Sequence, residues 1–232
     1  MTVHTPPVED SIGDLERREA LRRILRQGEI VLDVGANRGQ FAMDVIGIQD
    51  VTIHCFEPAP EAFRDLQEVA IGEARIIPHN LAVSDSNGAA QFWVQKSDVG
   101  SSLLEPVDNQ TSDWLTPNNK ITVETLRLDS FMTNMEISKV ALLKSDAQGF
   151  DQRVIASSGS FLTPESIGAV LVEMNFHTFY VEQDSTSSLI RLMETSGYFV
   201  AGIFRHYNRA GWLWWADVLF LPNIAPFSTN LD

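Results

Sequence analysis

The sequence predicts an α/β fold with a mostly parallel sheet, and three observations point to it. Short apolar runs alternate with helix-like segments along most of the chain, as they do in folds built on parallel strands. The first apolar run, from Val31, ends in Asp33-Val34 and a glycine-bearing turn, and the second ends in Glu57-Pro58. At 232 residues, the chain has the length of one such domain.

The first half of the chain predicts a leading helix and then three strands with helices between them. The leading helix begins near Ser11 or Asp14, reaches Gln27 and is closed by Gly28. Strands follow at residues 30–34, 51–56 and 74–78, with helices at residues 39–46 and 60–69. The arginines of the leading helix are expected to form a solvated face paired with acids: Arg17, Arg18, Arg22, Arg23 and Arg26.

The second half of the chain predicts further strands, two helices and a terminal hairpin. Asn87-Gly88 is a turn signal before an extended segment at residues 89–95, and residues 122–128 alternate as a short strand does. The main strands continue at residues 140–144 and 169–174, the helices lie at 151–157 and 187–196, and the hairpin strands lie at 198–206 and 213–221. The hairpin adds one antiparallel strand, so we expect a mostly parallel seven-stranded sheet.

One domain accounts for most of the chain. We expect an N-terminal helical extension at residues 1–28, the domain at residues 29–222 and a tail at residues 223–232. Residues 96–120 are polar, interrupted by proline and long for a connection within a compact domain. Connections of that length are more often functional or disordered than simple links.

Charge, cysteine content and hydropathy narrow the functional class. Seventeen basic against 31 acidic residues give a formal net charge of −14, which argues against a nucleic-acid backbone as the main partner. Cys55 is the only cysteine, so an internal disulfide is impossible and we expect a reducing, cytoplasmic location. No apolar stretch approaches the roughly 18–20 residues that span a membrane, so we expect no membrane partner.

The turn after the first strand predicts a nucleotide site. Gly35 and Gly39 allow positive φ or a close approach of the backbone to a ligand. In such folds an acid at the end of the second strand, here Glu57, accepts hydrogen bonds from ribose hydroxyls. A dinucleotide would require glycine where this chain has Asn37, because its pyrophosphate needs bare backbone. S-adenosylmethionine has no phosphate, and its sulfonium and amino groups favour a nearby acid such as Asp33, so the pattern favours this methyl donor over NAD.

Five sequence blocks, in order, resemble those of FkbM-family methyltransferases. The blocks are residues 33–39 (DVGANRG), 56–58 (FEP), 80–85 (NLAVSD), 101–103 (SSL) and 143–150 (LKSDAQGF). The resemblance runs from about residue 30 to residue 173. It implies a single Rossmann-like class I methyltransferase domain that uses S-adenosylmethionine, often to O-methylate sugars or polyketide hydroxyls. The chain departs from the family at Gln148, where an acidic residue is frequent.

The resemblance also implies a set of cofactor contacts. Ligands of open α/β sheets bind outside the carboxyl ends of the strands, which is where the matching blocks fall. The match at residues 101–103 implies that residues 96–120 form a lid over the cofactor. The expected contacts are Asp33, Gly35, Ala36, Asn37, Gly39, Phe41, Glu57, Pro58, Asn80, Ala82, Ser101, Ser102 and Asp146.

Four residues are candidates for the chemistry. Methyl transfer from a sulfonium is an in-line displacement that depends on alignment, and a base assists an alcohol acceptor. Asp146 is the first candidate base, and the alternative is a cap for the helix that follows. Lys144 lies on the same strand face and could pair with Asp146 or act as a base with a lowered pKa. Glu173 and His177 could accept a hydrogen bond from the substrate, and no metal site is expected because these residues come from separate elements.

The sequence therefore predicts an S-adenosylmethionine-dependent methyltransferase whose small-molecule substrate carries the hydroxyl of a sugar or secondary metabolite. An NAD-dependent oxidoreductase on a related fold and a cofactor-binding protein without turnover are the alternatives. Trp212, near the turn of the hairpin, is expected in the core, with an acceptor pocket or a dimer contact as alternatives. A homo-oligomer is left open.

Overall fold

The computed structural model describes residues 12–97, 99–107 and 117–223. The helices are α1 (Ile12–Ile24), α2 (Gln40–Ile46), α3 (Pro60–Gly72), α4 (Leu128–Asn134), α5 (Asp151–Ala156) and α6 (Thr186–Thr195), and a short 3₁₀ helix (Gly159–Phe161) follows α5. The strands are β1 (Ile30–Val34), β2 (Thr52–Phe56), β3 (Ile76–His79), β4 (Ala82–Val83), β5 (Gly88–Gln95), β6 (Pro117–Leu126), β7 (Leu142–Ser145), β8 (Val170–Asn175), β9 (Tyr198–Arg209) and β10 (Trp212–Pro222).

Seven strands form the main sheet in the order β3-β2-β1-β7-β8-β10-β9. Neighbours from β3 to β8 pair in parallel, whereas β10 pairs antiparallel with both β8 and β9. The mostly parallel seven-stranded sheet with one antiparallel strand is therefore confirmed. The chain winds from β1 to β2 in one direction and returns to β7 on the other side of β1. The carboxyl ends of β1 and β7 thus form the switch point at which open α/β sheets bind ligands.

The parallel strands are apolar on both faces because the sheet lies between two core clusters. Leu32, Leu143 and Val172 belong to one cluster, and their strand neighbours Val31 and Leu171 belong to the other. Successive side chains of a strand point to opposite faces. A strand that is buried on both faces therefore reads as a continuous apolar run, which is the pattern that predicted these elements.

A buried arginine fixes α1 to the sheet. Arg17 is 6% exposed, and its guanidinium lies 2.8 Å from Asp217 on β10 and 3.4 Å from Asp44 on α2. The solvated face expected for the arginines of this helix is therefore wrong for Arg17, whereas Arg22 is exposed and pairs with Glu19 on the same helix. The helix also ends at Ile24, three residues before the expected Gln27.

Between β3 and β7 the chain forms a second, three-stranded sheet. The extended segment expected at residues 89–95 is its strand β5, whereas strand β4 and the assembly of the sheet are not predicted. Its order is β4-β6-β5, with β6 parallel to β4 and antiparallel to β5. The short strand expected at residues 122–128 is part of β6, which begins at Pro117, so the connection expected to reach residue 120 ends earlier. Helix α4 is likewise unpredicted, although Leu128, Phe131 and Met132 are buried at helical spacing.

Residues 99–107, called segment 99–107 below, are the longest described stretch of the expected lid. Trp93 and Ser102 exchange backbone hydrogen bonds of 2.8 and 3.1 Å, which pair the segment with β5. Val107 N donates to Phe179 O at 2.9 Å, so the other end of the segment lies against the loop after β8. Residues 98 and 108–116 lie outside the described residues, and the lid role stays a prediction.

The C-terminal hairpin is longer than the sequence predicts. Its strands run on to Arg209 and begin again at Trp212, and Ala210 and Gly211 have φ of +52° and +82°. Two residues of positive φ are typical of the tightest hairpin turns. The pairing of β10 with β8 stops at Trp215 opposite Asn175, so the hairpin tip projects beyond the carboxyl end of β8. None of the helices in the described ranges is long and apolar enough to cross a membrane.

Candidate active site

The glycine turn after β1 is set by the close approach of β7. Gly35 N and Ala36 N both donate to Phe56 O at 3.0 Å, which ties the turn to the end of β2. Gly35 has a φ of +70°, and a Cβ there would lie 2.0 Å from the carbonyl oxygen of Asp146. Gly39 has a φ of +86°, and its Cβ would lie 3.0 Å from Leu66 on α3. Backbone packing alone therefore requires glycine at position 35, and the positive φ with the close Leu66 side chain favours glycine at position 39.

Glu57 is buried at the end of β2 and accepts hydrogen bonds from the glycine turn and from the start of α3. Its Oε2 accepts from Asn37 N at 2.9 Å and its Oε1 from Ala59 N at 2.7 Å. Burial raises the pKa of Glu57 to about 7, against the backbone hydrogen bonds that lower it. Each carboxylate oxygen has a further lone pair, so both can still accept a hydroxyl hydrogen bond. The residue that should hold the ribose thus has the capacity to do so.

An asparagine joins the end of β3 to the residues that follow β2. Asn80 Nδ2 donates to Glu57 O at 2.9 Å and lies 3.5 Å from Pro58 O. Ala82, on β4, is buried with Ala59 in a third, smaller apolar cluster. Asn80 therefore lies against Glu57 and Pro58, and Ala82 packs near the same strand ends. An adenine site there stays a prediction.

Lys144 joins the carboxyl ends of β1 and β7. Its Nζ lies 3.1 Å from Asp33 Oδ1 and donates to Gly35 O at 3.0 Å and Val34 O at 3.3 Å. Burial alone would lower the pKa of Lys144, but the carboxylates of Asp33 and Asp146 outweigh it and raise the pKa. The lowered pKa expected for this lysine is therefore wrong, and a base role loses its basis. Pairing with an acid is the interpretation that the geometry supports.

Phe41 lies on α2 against this charged group. The Lys144 Nζ is 5.6 Å from the centre of the Phe41 ring, and the Arg17 guanidinium is 5.7 Å from it. Both distances are within the range of cation–π attraction. Phe41 therefore lies between two cations under the glycine turn, and a contact with the cofactor stays a prediction.

Asp146 follows β7 directly and is the most accessible acid of the group. Its side chain is 29% exposed, its Oδ1 accepts from Gln148 Nε2 at 2.7 Å, and its Oδ2 lies 3.7 Å from Lys144 Nζ. Its position beside the glycine turn, with one oxygen near an ammonium and part of its surface exposed, suits a group that receives a proton from a bound hydroxyl.

Asp146 does not cap α5, and Asp151 holds the loop before that helix. Asp151 Oδ1 accepts from Ser145 Oγ at 2.6 Å and from Ala147 N at 2.8 Å, and its Oδ2 accepts from Gly149 N at 3.2 Å. Burial raises the pKa of Asp151 to about 6. Sequence reasoning missed this residue, although an acid in the first turn of a helix is a recognised signal. The helix-cap alternative for Asp146 has no support in these contacts.

Gln148 and Tyr180 complete the group and were also missed. Gln148 Nε2 donates to Asp146 and, at 2.8 Å, to Glu173 Oε1. Burial raises the pKa of Glu173 well above its usual value, and the carboxylates of Asp146 and Asp217 add to the effect. The Tyr180 hydroxyl lies 3.0 Å from Gln148 Oε1. Asp146 and Glu173, expected to act at one site, are thus joined by a residue that the sequence marked only as a departure from a family pattern.

Residues 33–200 match the model of the methyltransferase FkbM domain. The chain belongs to this family. The match begins at Asp33, includes both ends of the glycine turn, Glu57 and Asp146, and extends into β9.

Two curated relatives and one solved structure set the extent of the similarity. The 2-O-methyltransferase NoeI of Sinorhizobium fredii is 26% identical over 155 residues, which are 63% of this chain and 64% of the relative. The hexuronic acid methyltransferase AglP of Haloferax volcanii is 25% identical over 169 residues, 71% of this chain and 65% of the relative. The chain thus spans slightly less than two thirds of each relative. Fibrillarin of Aeropyrum pernix, solved with bound S-adenosyl-L-methionine, has a TM-score of 0.51 at 14% identity over 89% of this chain and 74% of that one, which supports the fold.

Within the FkbM domain, the two serines expected near the cofactor hold the backbone. Ser102 Oγ donates to Gln148 O at 2.9 Å and accepts from Leu104 N at 3.1 Å, and Ser102 is buried. Ser101 Oγ accepts from Gln95 N at 3.0 Å. These contacts fix segment 99–107 in place. Direct binding of the cofactor by either hydroxyl stays a prediction.

The structure does not bring His177 to the carboxylates. Its exposed ring stacks on Trp214 at 5.2 Å and meets Phe179 edge-on at 5.4 Å. A base role for His177 therefore has no geometric support, and Asp146, Glu173 and His177 do not converge. In the ranges that the structure describes, no group of three or more His, Cys, Asp or Glu side chains is arranged to hold a metal ion.

Proposed function

We propose that the protein is an S-adenosylmethionine-dependent O-methyltransferase that acts on a hydroxyl of a sugar or secondary metabolite. The observation that carries this is the position of two acids of the FkbM domain on either side of one glycine turn. Glu57 at the end of β2 can accept ribose hydroxyls, and Asp146 after β7 can accept the proton of an alcohol.

The residues present fit the cofactor. Glu57 and the turn backbone would hold the adenosine, with Asn80 and Ala82 towards the adenine, and Asp33 and Lys144 would lie under the methionine end. When bound, S-adenosylmethionine supplies a methyl group on a sulfonium that is already activated for displacement. The protein then has to align the acceptor oxygen, which contributes on the order of 7–11 kcal/mol to lowering such a barrier.

In this proposal, Asp146 acts as the general base. Its carboxylate takes the proton of the acceptor hydroxyl as the oxygen attacks the methyl carbon, and its partial exposure lets the proton pass to solvent. The Lys144 ammonium lies 3.7 Å from Asp146 Oδ2 and stays protonated, because the carboxylates of Asp33 and Asp146 raise its pKa. Glu173, whose raised pKa favours its protonated form, can donate a hydrogen bond to the acceptor or to Asp146.

A sugar is the favoured acceptor, and the tip of the hairpin supports this choice. Trp212 is 76% exposed and lies beyond the carboxyl end of β8. Asp146 follows the carboxyl end of the neighbouring strand β7, so both residues lie at the same edge of the sheet. The exposure of Trp212 contradicts a place in the core and leaves the acceptor pocket or a dimer contact. Of the two relatives, NoeI is named a 2-O-methyltransferase and AglP a hexuronic acid methyltransferase. A small molecule also suits the net charge of −14 better than a nucleic acid does.

An NAD-dependent oxidoreductase is not favoured, because Asn37 occupies the position of the middle glycine and the chain matches a methyltransferase family. Calorimetry with S-adenosylhomocysteine and with NAD tests the cofactor, and a screen of hydroxylated acceptors with a methyl-labelled donor tests turnover. Binding of NAD alone would overturn the proposal. Binding of S-adenosylhomocysteine without transfer to any acceptor would favour a protein without turnover. A cytoplasmic location and a homo-oligomer remain predictions for fractionation and light scattering.

A further inference from the structure

The side-chain amide of Gln148 joins two carboxyl groups that belong to neighbouring strands. Its Nε2 donates to Asp146 Oδ1 at 2.7 Å and to Glu173 Oε1 at 2.8 Å. The residue has a φ of +51°, in the left-handed region that few residues other than glycine adopt. Strained residues of this kind often lie at functional sites, and here the strain coincides with a bridge between two candidate catalytic acids.

Tyr180 lies beside the oxygen of this amide. Its hydroxyl is 3.0 Å from Gln148 Oε1 and 2.9 Å from Gly100 O, and its single proton can go to either acceptor. The two carboxyl groups that accept from Nε2 hold the NH₂ group towards them and leave the amide oxygen towards Tyr180. A flipped amide would place its oxygen against Asp146 and Glu173 and lose both hydrogen bonds to them. Tyr180 itself is fully buried, which limits its movement.

Segment 99–107 contacts both members of this pair. The Tyr180 hydroxyl lies 2.9 Å from Gly100 O, and Ser102 Oγ donates to Gln148 O at 2.9 Å. The docked segment therefore supports the tyrosine and the glutamine at once. Its position is coupled by direct hydrogen bonds to the residue that holds Asp146.

An uncharged bridge matters because the surroundings are already acidic. A carboxylate at position 148 would place an added negative charge within hydrogen-bonding distance of the Asp146 carboxylate and the Glu173 carboxyl group. Like charges so close disfavour ionisation of one another. The charged or titratable groups that face Asp146 are Lys144 on its own strand, Asp33 on β1, Glu173 on β8, Asp217 on β10, Asp151 on α5 and Tyr180 after β8.

We propose that Gln148 and Tyr180 are positioning residues for methyl transfer. Gln148 holds Oδ1 of the Asp146 carboxylate, whose Oδ2 lies 3.7 Å from Lys144 Nζ, and does so without adding a charge. Tyr180 supports the orientation of the amide through its hydroxyl, whose single proton Gln148 Oε1 shares with Gly100 O of segment 99–107. This inference rests on the proposed function, in which Asp146 removes the acceptor proton.

The inference that the bridge at position 148 must be uncharged, called the charge part below, is tested with Gln148→Glu, which keeps the shape of the side chain. The acid limb of the pH profile of kcat/KM should move up by roughly 1–3 pH units, because the added carboxylate disfavours ionisation of the pair. The titration midpoints of the Asp146–Glu173 pair, followed by carboxyl ¹³C resonances, should move in the same direction without any turnover being needed. Gln91→Glu, the same change on the exposed face of β5, should leave both readouts at their wild-type values.

The orientation part is tested with Gln148→Met and Tyr180→Phe, which remove hydrogen bonds but no volume. Each should lower kcat about tenfold or more while the affinity for S-adenosylhomocysteine stays within about threefold, because the cofactor crevice is not touched. Tyr198→Phe is the matched control, since it also removes a buried tyrosine hydroxyl, bonded to Ile167 O at 2.7 Å, and it should keep kcat.

The outcomes separate this inference from the proposed function. Wild-type protein that transfers no methyl group overturns the function, and the ¹³C midpoints of Gln148→Glu then still decide the charge part. Wild-type turnover with an unmoved acid limb in Gln148→Glu, or with undiminished kcat in Gln148→Met, overturns the inference. If Gln148→Glu does not fold, Tyr180→Phe decides: an unchanged kcat rejects the positioning role and a selective loss of kcat supports it.

Discussion

The burial of Glu57 makes cofactor affinity depend on pH near neutrality. Its pKa is raised to about 7 by burial, against hydrogen bonds from Ala59 N and Asn37 N that lower it. The ionised carboxylate has an acceptor site on each oxygen for the two ribose hydroxyls, whereas the protonated acid loses one of them. With such a pKa the ionised fraction rises from about one tenth at pH 6 to about nine tenths at pH 8, so affinity should rise about tenfold, or about 1.4 kcal/mol.

Calorimetric titration with S-adenosylhomocysteine across this pH range measures the slope. Glu57→Gln removes the titrating group and should flatten the slope. It should also weaken binding, because its NH₂ group opposes the N–H of Asn37 or Ala59. Glu61→Gln changes the same charge at an exposed position in the first turn of α3 and should keep the wild-type slope. The amino group of the ligand titrates equally in all three proteins. A wild-type slope in Glu57→Gln would refute the assignment of Glu57 to the ribose.

Further predictions concern the base, the acceptor and the frame of the site. Asp146→Asn should lower kcat about 10²-fold or more while leaving cofactor affinity within about threefold, and equal losses in both would make Asp146 structural. Trp212→Ala should raise the acceptor KM about 2- to 10-fold with an unchanged melting temperature, and an unchanged KM would exclude it from the acceptor pocket. Gly35→Ala should lower stability by at least roughly 1–3 kcal/mol, measured by denaturant unfolding, because the backbone has a φ of +70°. Arg17→Met should cost about 3–5 kcal/mol in the same assay because it leaves Asp217 buried without its closest cation, and a loss below about 1 kcal/mol would contradict this.

The sequence predicts the main sheet well because its signals are local. Continuous apolar runs mark strands that are buried on both faces, and β1 and β2 appear within one residue of the expected bounds. The signals fail where pairing decides the structure. Strand β4 has two residues, and only its ladder with β6 makes it a strand. The sequence therefore predicts β5 and part of β6 as extended segments but not the pairing of β4 with β6, since these two strands are separated by some forty residues of chain.

The candidate site, like the fold, could be predicted only in part. The acids at strand ends could be predicted, since parallel strands bring their carboxyl ends to one side of the sheet. The state of Lys144 could not, because its partner Asp33 stands opposite it in the register of β1 and β7 and is remote in sequence. His177 was misjudged for a related reason. Its ring partner Trp214 comes from the hairpin, and the sequence around the histidine does not predict this contact.

Gly35 shows why a glycine in such a turn cannot be assigned to structure or to binding from the sequence. Its missing Cβ lets the turn meet the carbonyl oxygen of Asp146, and its own carbonyl oxygen accepts from Lys144. The same turn continues to Asn37, whose N–H donates to Glu57. The candidate ribose acid and the candidate base are therefore linked through a few backbone atoms, with no flexible connection between them. Because alignment of donor and acceptor is what this chemistry requires, close packing and cofactor binding demand the same residue, and a substitution at Gly35 should impair both together.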